Sequence, residues 1–427
     1  MINYSGAKRS ISRDELREYV LETLAPRRES LRRVLILPPD HTRLNSQAGP
    51  ITAMAYAALV ADGVHVDIMP TLGTHNAMTE RQLRMMFGDT IPLEAFKVHD
   101  WRNGIVRKGQ IPGSTLSELS DGKVSYSVDV EVNKILFEGY DLILSIGQVV
   151  PHEVVGMANY TKNIVVGAGG SDIINKSHFL GAVCNMETIL GRSDTPVRRL
   201  FNMAANQFLS DLPILYILTV VEQDYETRQM QLRGYYAGEE EAVYLEACKL
   251  AREVNVILLD REPKKVVVYL DPHEFQSTWL GNKAVYRTRL AIADEGELIV
   301  LAPALKEFGE DAQIDKLIRK YGYYGTPATL KAVDENEDLR ANLGAAAHLI
   351  HGSSEGRFTI TYCPGEGVSL EEVRSVGFKA VPYAEMAARY NPDQLKDGFN
   401  TMPDGEEIFY ISNPALGLWA YRNKFTD

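Results

Sequence analysis

The sequence predicts an α/β protein of two domains, each built on a mainly parallel sheet, with the active site in the cleft between them. Three observations predict it. Short apolar runs alternate with helical stretches, which suits parallel strands covered on both faces. Polar residues gather just after the strand ends, where open α/β sheets place their ligands. The chain has 427 residues, more than one domain usually needs.

The elements follow in order. Arg33–Leu37 reads as a buried strand and runs into Pro38-Pro39-Asp40-His41-Thr42-Arg43. Residues 51–60 read as a helix closed by Asp62-Gly63. The next strand is 65–69, ending in Thr71-Leu72-Gly73-Thr74-His75. Thr79 and Gln82 form a capping box that opens a helix to about Phe87. Residues 96–100 predict a short strand carrying His99-Asp100, and a further strand is expected near 125–132. The apolar run 142–146 then delivers Pro151-His152, Lys162, Gly167-Ala168-Gly169-Gly170 and His178.

The second alternation begins near Lys265. Strands are expected at 266–270, 297–302 and 357–362, and helices over most of 271–289, 311–321 and 338–350. Ser369 and Glu372 cap a helix, and Asn391-Pro392 predicts the start of another. The domains are thus expected at 1–264 and 265–399, with a hinge at 260–265 and with 400–427 completing the first domain.

Composition narrows the class. Hydrophobic residues make up 45% and charged residues 24%, as in ordinary soluble globular proteins. The net charge of −12 argues against a broad nucleic-acid surface but leaves room for local pockets that hold small anions. Cys184, Cys248 and Cys363 form no C-x-x-C pair and read as reduced thiols, which suits the cytoplasm. The N-terminal stretch has no signal-peptide apolar region, and no apolar run reaches the roughly 18 residues of a membrane span.

The candidate chemistry lies at the strand ends. His41, His75, His99 and His152, four of the nine histidines, follow four different strands. Imidazoles serve as acid, base or metal ligand near neutral pH. Lys162 could be a nucleophile or an attachment point, or a lysine lying along apolar surface. Asp40 with Arg43 could bind an anion through the arginine fork, or form a surface ion pair of little worth. Gly73-Thr74-His75 could present backbone N–H groups to a phosphate or carboxylate, or be a plain turn. Lys283 could meet a substrate carboxylate, or be an exposed helix lysine. Gly167-Ala168-Gly169-Gly170 matches neither G-x-G-x-x-G nor the Walker pattern. A metal-dependent hydrolase using the same histidines and a non-catalytic small-anion-binding protein are the alternatives to an isomerase. No H-E-x-x-H motif occurs to support hydrolysis.

Taken in order, the motifs resemble the nickel-pincer lactate racemase family. They are Asp40-His41-Thr42-Arg43, Gly73-Thr74-His75, His99-Asp100, Pro151-His152, Lys162, His178, and Lys283-Ala284 before Asp294-Glu295-Gly296. The resemblance implies a racemase or epimerase of a 2-hydroxy acid, working by proton-coupled hydride transfer. It implies a nickel-pincer nucleotide attached to Lys162 by a thioamide, with His178 ligating nickel. Asp40, Thr42, Gly73 and His75 would lie at the cofactor. His99 and His152 would be the proton-transfer pair, and Arg43 and Lys283 would help hold the substrate or the cofactor. The enzymes that synthesise the cofactor are then partners. The chain departs from the family at two places. The usual Gly-Tyr-Ser-Gly-Gly-x-Lys loop is here Gly156-Met157-Ala158-Asn159-Tyr160-Thr161-Lys162, with Asn159 and Tyr160 in place of two glycines. Leu280 stands where the lactate enzyme has a polar Gln. A substrate other than plain lactate, such as a sugar acid, is the expectation.

Overall fold

The computed structural model describes residues 1–427 except 224–228, 310 and 426–427. Its contacts divide into two units, Met1–Leu180 with Ile189–Asn255, and Gly181–Thr188 with Val256–Asp427.

The first unit is built on a six-stranded sheet. Its order is Ile2–Ser5, Met230–Gly238, Ile214–Gln223, Leu142–Gln148, Arg33–Leu37 and His65–Ile68. The four strands from Ile214–Gln223 to His65–Ile68 run parallel, and the first two extend the sheet antiparallel. Leu142–Gln148 lies centrally, with Leu144 in register with Ile36 on one side and Leu215 on the other. Near-continuous apolar sequence is what a strand packed on both faces requires. The helices Arg13–Leu24 and Ala48–Ala61 help build one core with Val34, Ile36, Ile68, Leu144 and Ile217. Thr79 closes the expected capping box on Glu80–Phe87.

The second unit has its own six-stranded sheet, ordered Lys379–Ala380, Thr359–Pro364, Glu297–Ala302, Lys265–Tyr269, Glu407–Ile411 and Gly398–Thr401. All neighbours pair in parallel except the last. Both units therefore have the mainly parallel α/β architecture the sequence predicts.

Four expectations change. Residues 400–427 do not complete the first unit: Phe409–Ile411 pair with Val266–Val268, and Leu418–Tyr421 pair with Val256–Leu259, though the last two residues lie outside the described ones. The apolar run at Ile408 needs a buried neighbour, and the Val266–Val268 strand offers one in the same unit. The expected strand at 96–100 reduces to one bridge between Ile68 and Phe96. The helix over 271–289 is two short pieces, Thr278–Gly281 and Lys283–Tyr286. Asn391-Pro392 opens a turn rather than a helix, because the Asn391 side chain accepts the Asp393 N–H at 3.0 Å. None of Cys184, Cys248 and Cys363 is in a disulfide; Cys248 and Cys363 are buried and Cys184 is half-buried. No helix among the described residues is long and apolar enough to cross a membrane.

Leu144→Ala should cost about 3 kcal/mol, since Leu144 is fully buried in the central strand and the cavity cannot collapse there. Urea denaturation followed by circular dichroism checks it; an unchanged midpoint would contradict this account of the core.

Candidate functional site

The site grows from the C-terminal ends of the parallel strands of the first unit. After Arg33–Leu37 the chain turns at Asp40, whose carboxylate is buried. One oxygen accepts the Thr42 N–H at 3.0 Å and the Thr42 hydroxyl at 2.5 Å. The other takes a bond from His75 Nδ1 at 2.6 Å. Burial, the largest influence, would raise the Asp40 carboxyl, but His75 and Thr42 outweigh it and hold it below the usual carboxylate range. Gly73, at φ +56, turns the chain so that its N–H donates to Gly167 O at 2.9 Å.

Asn163 fastens the lysine-bearing segment to these strand ends. Its Nδ2 donates to Leu37 O at 3.1 Å and to Ser145 Oγ at 2.9 Å. Its Oδ1 accepts from Thr71 Oγ1 at 2.8 Å. Three strands are thus tied to the residue next to Lys162, which leads into a short π-helical turn, Asn163–Gly167. Such turns recur at functional sites.

Lys162 keeps a little solvent contact but lies among enough protein to change its chemistry. Burial, followed by the positive charge of Arg43, lowers its amine to about 8. Roughly a tenth of it is then uncharged at neutral pH, which is the reactive form. His152 and His178 face the same region. Burial drives His152 well below its ordinary value, with Lys162, Arg43 and His178 adding to the effect and Glu153 opposing it. Burial also lowers His178, with the Ile174 bond opposing and Lys162 adding. Both rings are therefore neutral near pH 7.

Hydrogen bonds set the two tautomers. His178 Nδ1 lies 2.6 Å from Ile174 O, so it carries the proton and leaves the Nε2 lone pair as a ligand. His152 Nδ1 accepts the Val154 N–H at 3.1 Å, so its proton sits on Nε2. Glu153 lies 3.9 Å from His152 Nδ1, where it can stabilise an imidazolium.

The structure thus brings together Asp40, Thr42, Arg43, Gly73, His75, His152, Lys162 and His178. His99 is hydrogen-bonded on both sides of its ring. Its ring is buried, Nε2 donates to Gly169 O at 3.0 Å, and Nδ1 meets the Asn133 amide at 3.0 Å. Both nitrogens are occupied, so proton transfer by His99 would require one of these bonds to open. Lys283 belongs to the second unit, 3.8 Å from Glu274 and 5.4 Å from the Phe275 ring. Buried Asn282, bonded by Tyr362 at 2.7 Å, fixes the helix start that carries it. Leu280 is exposed. Glu153 and Arg198 were not singled out in the sequence. Glu153 could have been noticed as the acid adjoining His152. Arg198 reads as an ordinary helix arginine until its burial is known.

Among the described residues no three His, Cys, Asp or Glu side chains converge to hold a metal ion.

Residues 13–189 match the family model described as the lactate racemase N-terminal domain. No protein of curated function matches the chain. A protein of Thermotoga maritima shares the fold at a TM-score of 0.79 and 21% identity, over 98% of this chain and 100% of that one. The lactate racemase apoprotein of Thermoanaerobacterium thermosaccharolyticum does so at 0.70 and 18%, over 96% and 93%.

The depressed Lys162 amine has a stability consequence. Below about 8 both folded and unfolded states carry the proton, and the cost of burying the cation is fully present. It fades as pH rises from there toward the ordinary lysine value. Lys162→Met should therefore stabilise the cofactor-free protein by about 2 kcal/mol at neutral pH, with a smaller gain at pH near 10. Denaturation midpoints at both pH values check this; an equal gain at each would contradict it.

Proposed function

We propose that this chain, whose residues 13–189 match the lactate racemase N-terminal domain model, belongs to that family and is an isomerase that racemises or epimerises a 2-hydroxy acid. The substrate is lactate-like or a sugar acid, and the cofactor is a nickel-pincer nucleotide tethered to Lys162. One observation carries the reading: a buried amine lowered to about 8 shares its surroundings with the neutral His178 and His152. An amine that must become an attachment point benefits from losing its proton, and a metal ligand must be a neutral imidazole.

The residues fit the group. Lys162 would hold it through the tether, and His178 would ligate nickel through Nε2, the nitrogen its Ile174 bond leaves open. A metal whose other ligands belong to an organic cofactor is consistent with the lack, among the described residues, of three converging His, Cys, Asp or Glu side chains. When bound, this cofactor supplies a hydride acceptor, which spares the enzyme from forming a carbanion at a weakly acidic carbon.

This chain's own residues bind, orient and move the proton. Arg43 is the cation proposed for the substrate carboxylate. The Asp40–His75 pair would lie at the cofactor. His152 is the proposed proton-transfer group. Its resting proton is on Nε2, so the ring first presents a donor to a substrate oxygen. Accepting the hydroxyl proton requires the Val154 bond to yield, with Glu153 then favouring the charged ring. His99 could join as a second base only after releasing Gly169. The protein would work in the cytoplasm beside the enzymes that make the cofactor.

Protein co-produced with cofactor-synthesising enzymes should interconvert the two enantiomers or epimers of at least one acid in a panel of lactate homologues and sugar acids. Chiral chromatography would follow it. His152→Gln should lower kcat by at least about 100-fold. Turnover that survives both this change and Lys162→Ala would contradict the assignment.

A further inference from the structure

The turn before Lys162 carries unusual backbone. Asn159 and Tyr160 both adopt left-handed conformations, with φ of 69° and 60°. A single non-glycine residue in this region is uncommon, and a bulky aromatic one is an outlier. Such strain persists only where the surroundings over-determine it.

Those surroundings centre on Arg198, on the helix Pro196–Phe208. Its side chain is almost completely buried. One terminal nitrogen of the guanidinium donates to Met157 O at 2.8 Å and to Asn159 O at 3.0 Å. The other donates to Thr161 Oγ1 at 2.9 Å. The planar fork thus spans the turn on both sides of the strained pair, a geometry the single ammonium of lysine cannot reproduce. The guanidinium also lies 4.3 Å from the Tyr244 ring. Tyr244 in turn stacks on Tyr160 at 5.2 Å, and Tyr216 meets Tyr160 at 4.4 Å. Thr161 continues the brace, donating to Asn202 Oδ1 at 2.7 Å. Gly147 leaves the space that the Asn159 side chain occupies, since a Cβ there would lie 2.0 Å from Asn159 Nδ2.

We propose that Arg198 is the positioning residue of Lys162: its guanidinium fork holds two successive left-handed residues so that the amine stays buried beside His152 and His178. Arg198 touches no substrate in this scheme and acts through the turn. Without the fork the turn relaxes and the amine swings toward solvent. The inference rests on the reading of Lys162 as the attachment point. Its test is made on the cofactor-free protein, so lack of racemase activity or of cofactor would count against that reading and leave this result standing.

The experiment is trace acetylation with acetic anhydride across pH 6 to 11, with Lys162 labelling followed by peptide mass spectrometry. The wild-type midpoint is expected near 8. Arg198→Lys retains a cationic side chain but loses the fork, and should move the midpoint up by about one unit toward that of an ordinary lysine. In a background of Asn159→Gly with Tyr160→Gly, where left-handed backbone needs no holding, the same change should move it by less than about a third of a unit. Rescue of folding by the glycine pair, if Arg198→Lys alone does not fold, also supports the proposal. An unmoved midpoint in folded Arg198→Lys protein would overturn it. So would an equal shift in both backgrounds, a glycine pair that does not fold with Arg198 in place, or failure of Arg198→Lys to fold in both backgrounds.

Discussion

The site depends on Asn163. A buried amide that binds Leu37, Thr71 and Ser145 at once ties three strand ends to the residue beside Lys162. Each bond involves a buried polar group, so none can be given up to water without leaving its partner unsatisfied. The sheet is thereby made to present an amine where burial outweighs hydration. The π-helical turn, the Gly73–Gly167 bond and the Asp40–His75 pair are arranged around that point.

Burial then does most of the chemical tuning. It is the first cause of the shift at Lys162, His152 and His178, and the cations add to it at each. Glu153 opposes all three shifts. The result is two neutral imidazoles and an amine that can lose its proton near neutral pH. The tautomers follow from single backbone contacts, Ile174 O for one ring and Val154 N–H for the other. A cluster of this kind destabilises the folded chain before any cofactor arrives, the usual cost of a poised site.

Much of this was legible in the sequence, for physical reasons. Apolar runs such as 142–146 can only be buried strands, and polar residues just beyond them fall at the sheet's ligand-binding end. Capping boxes at Thr79 and Ser369 are local, and both form as expected. What failed depended on tertiary context. Residues 96–100 look like a strand, but only Phe96 bridges to the sheet. The strand Glu407–Ile411 has no local mark saying which sheet will accept it. The two hydrogen bonds on the His99 ring, to Gly169 and Asn133, also had no local mark, though they do not decide its role. Arg198 reads as a solvated helix residue until its helix packs and the fork meets three oxygens. Asn159 and Tyr160 were visible as replacements for glycines. That the backbone keeps left-handed angles there was not.

The central claim is that Lys162 and His178 together hold a nickel-bearing organic cofactor. Intact-protein mass spectrometry with nickel analysis, on chain co-produced with the cofactor-synthesising enzymes, tests it most directly. The account predicts an added mass on the order of several hundred daltons that maps to Lys162, accompanied by nickel, with the nickel lost and the adduct kept in His178→Ala. An unmodified Lys162 without nickel, from cells in which a control protein is loaded, would contradict it.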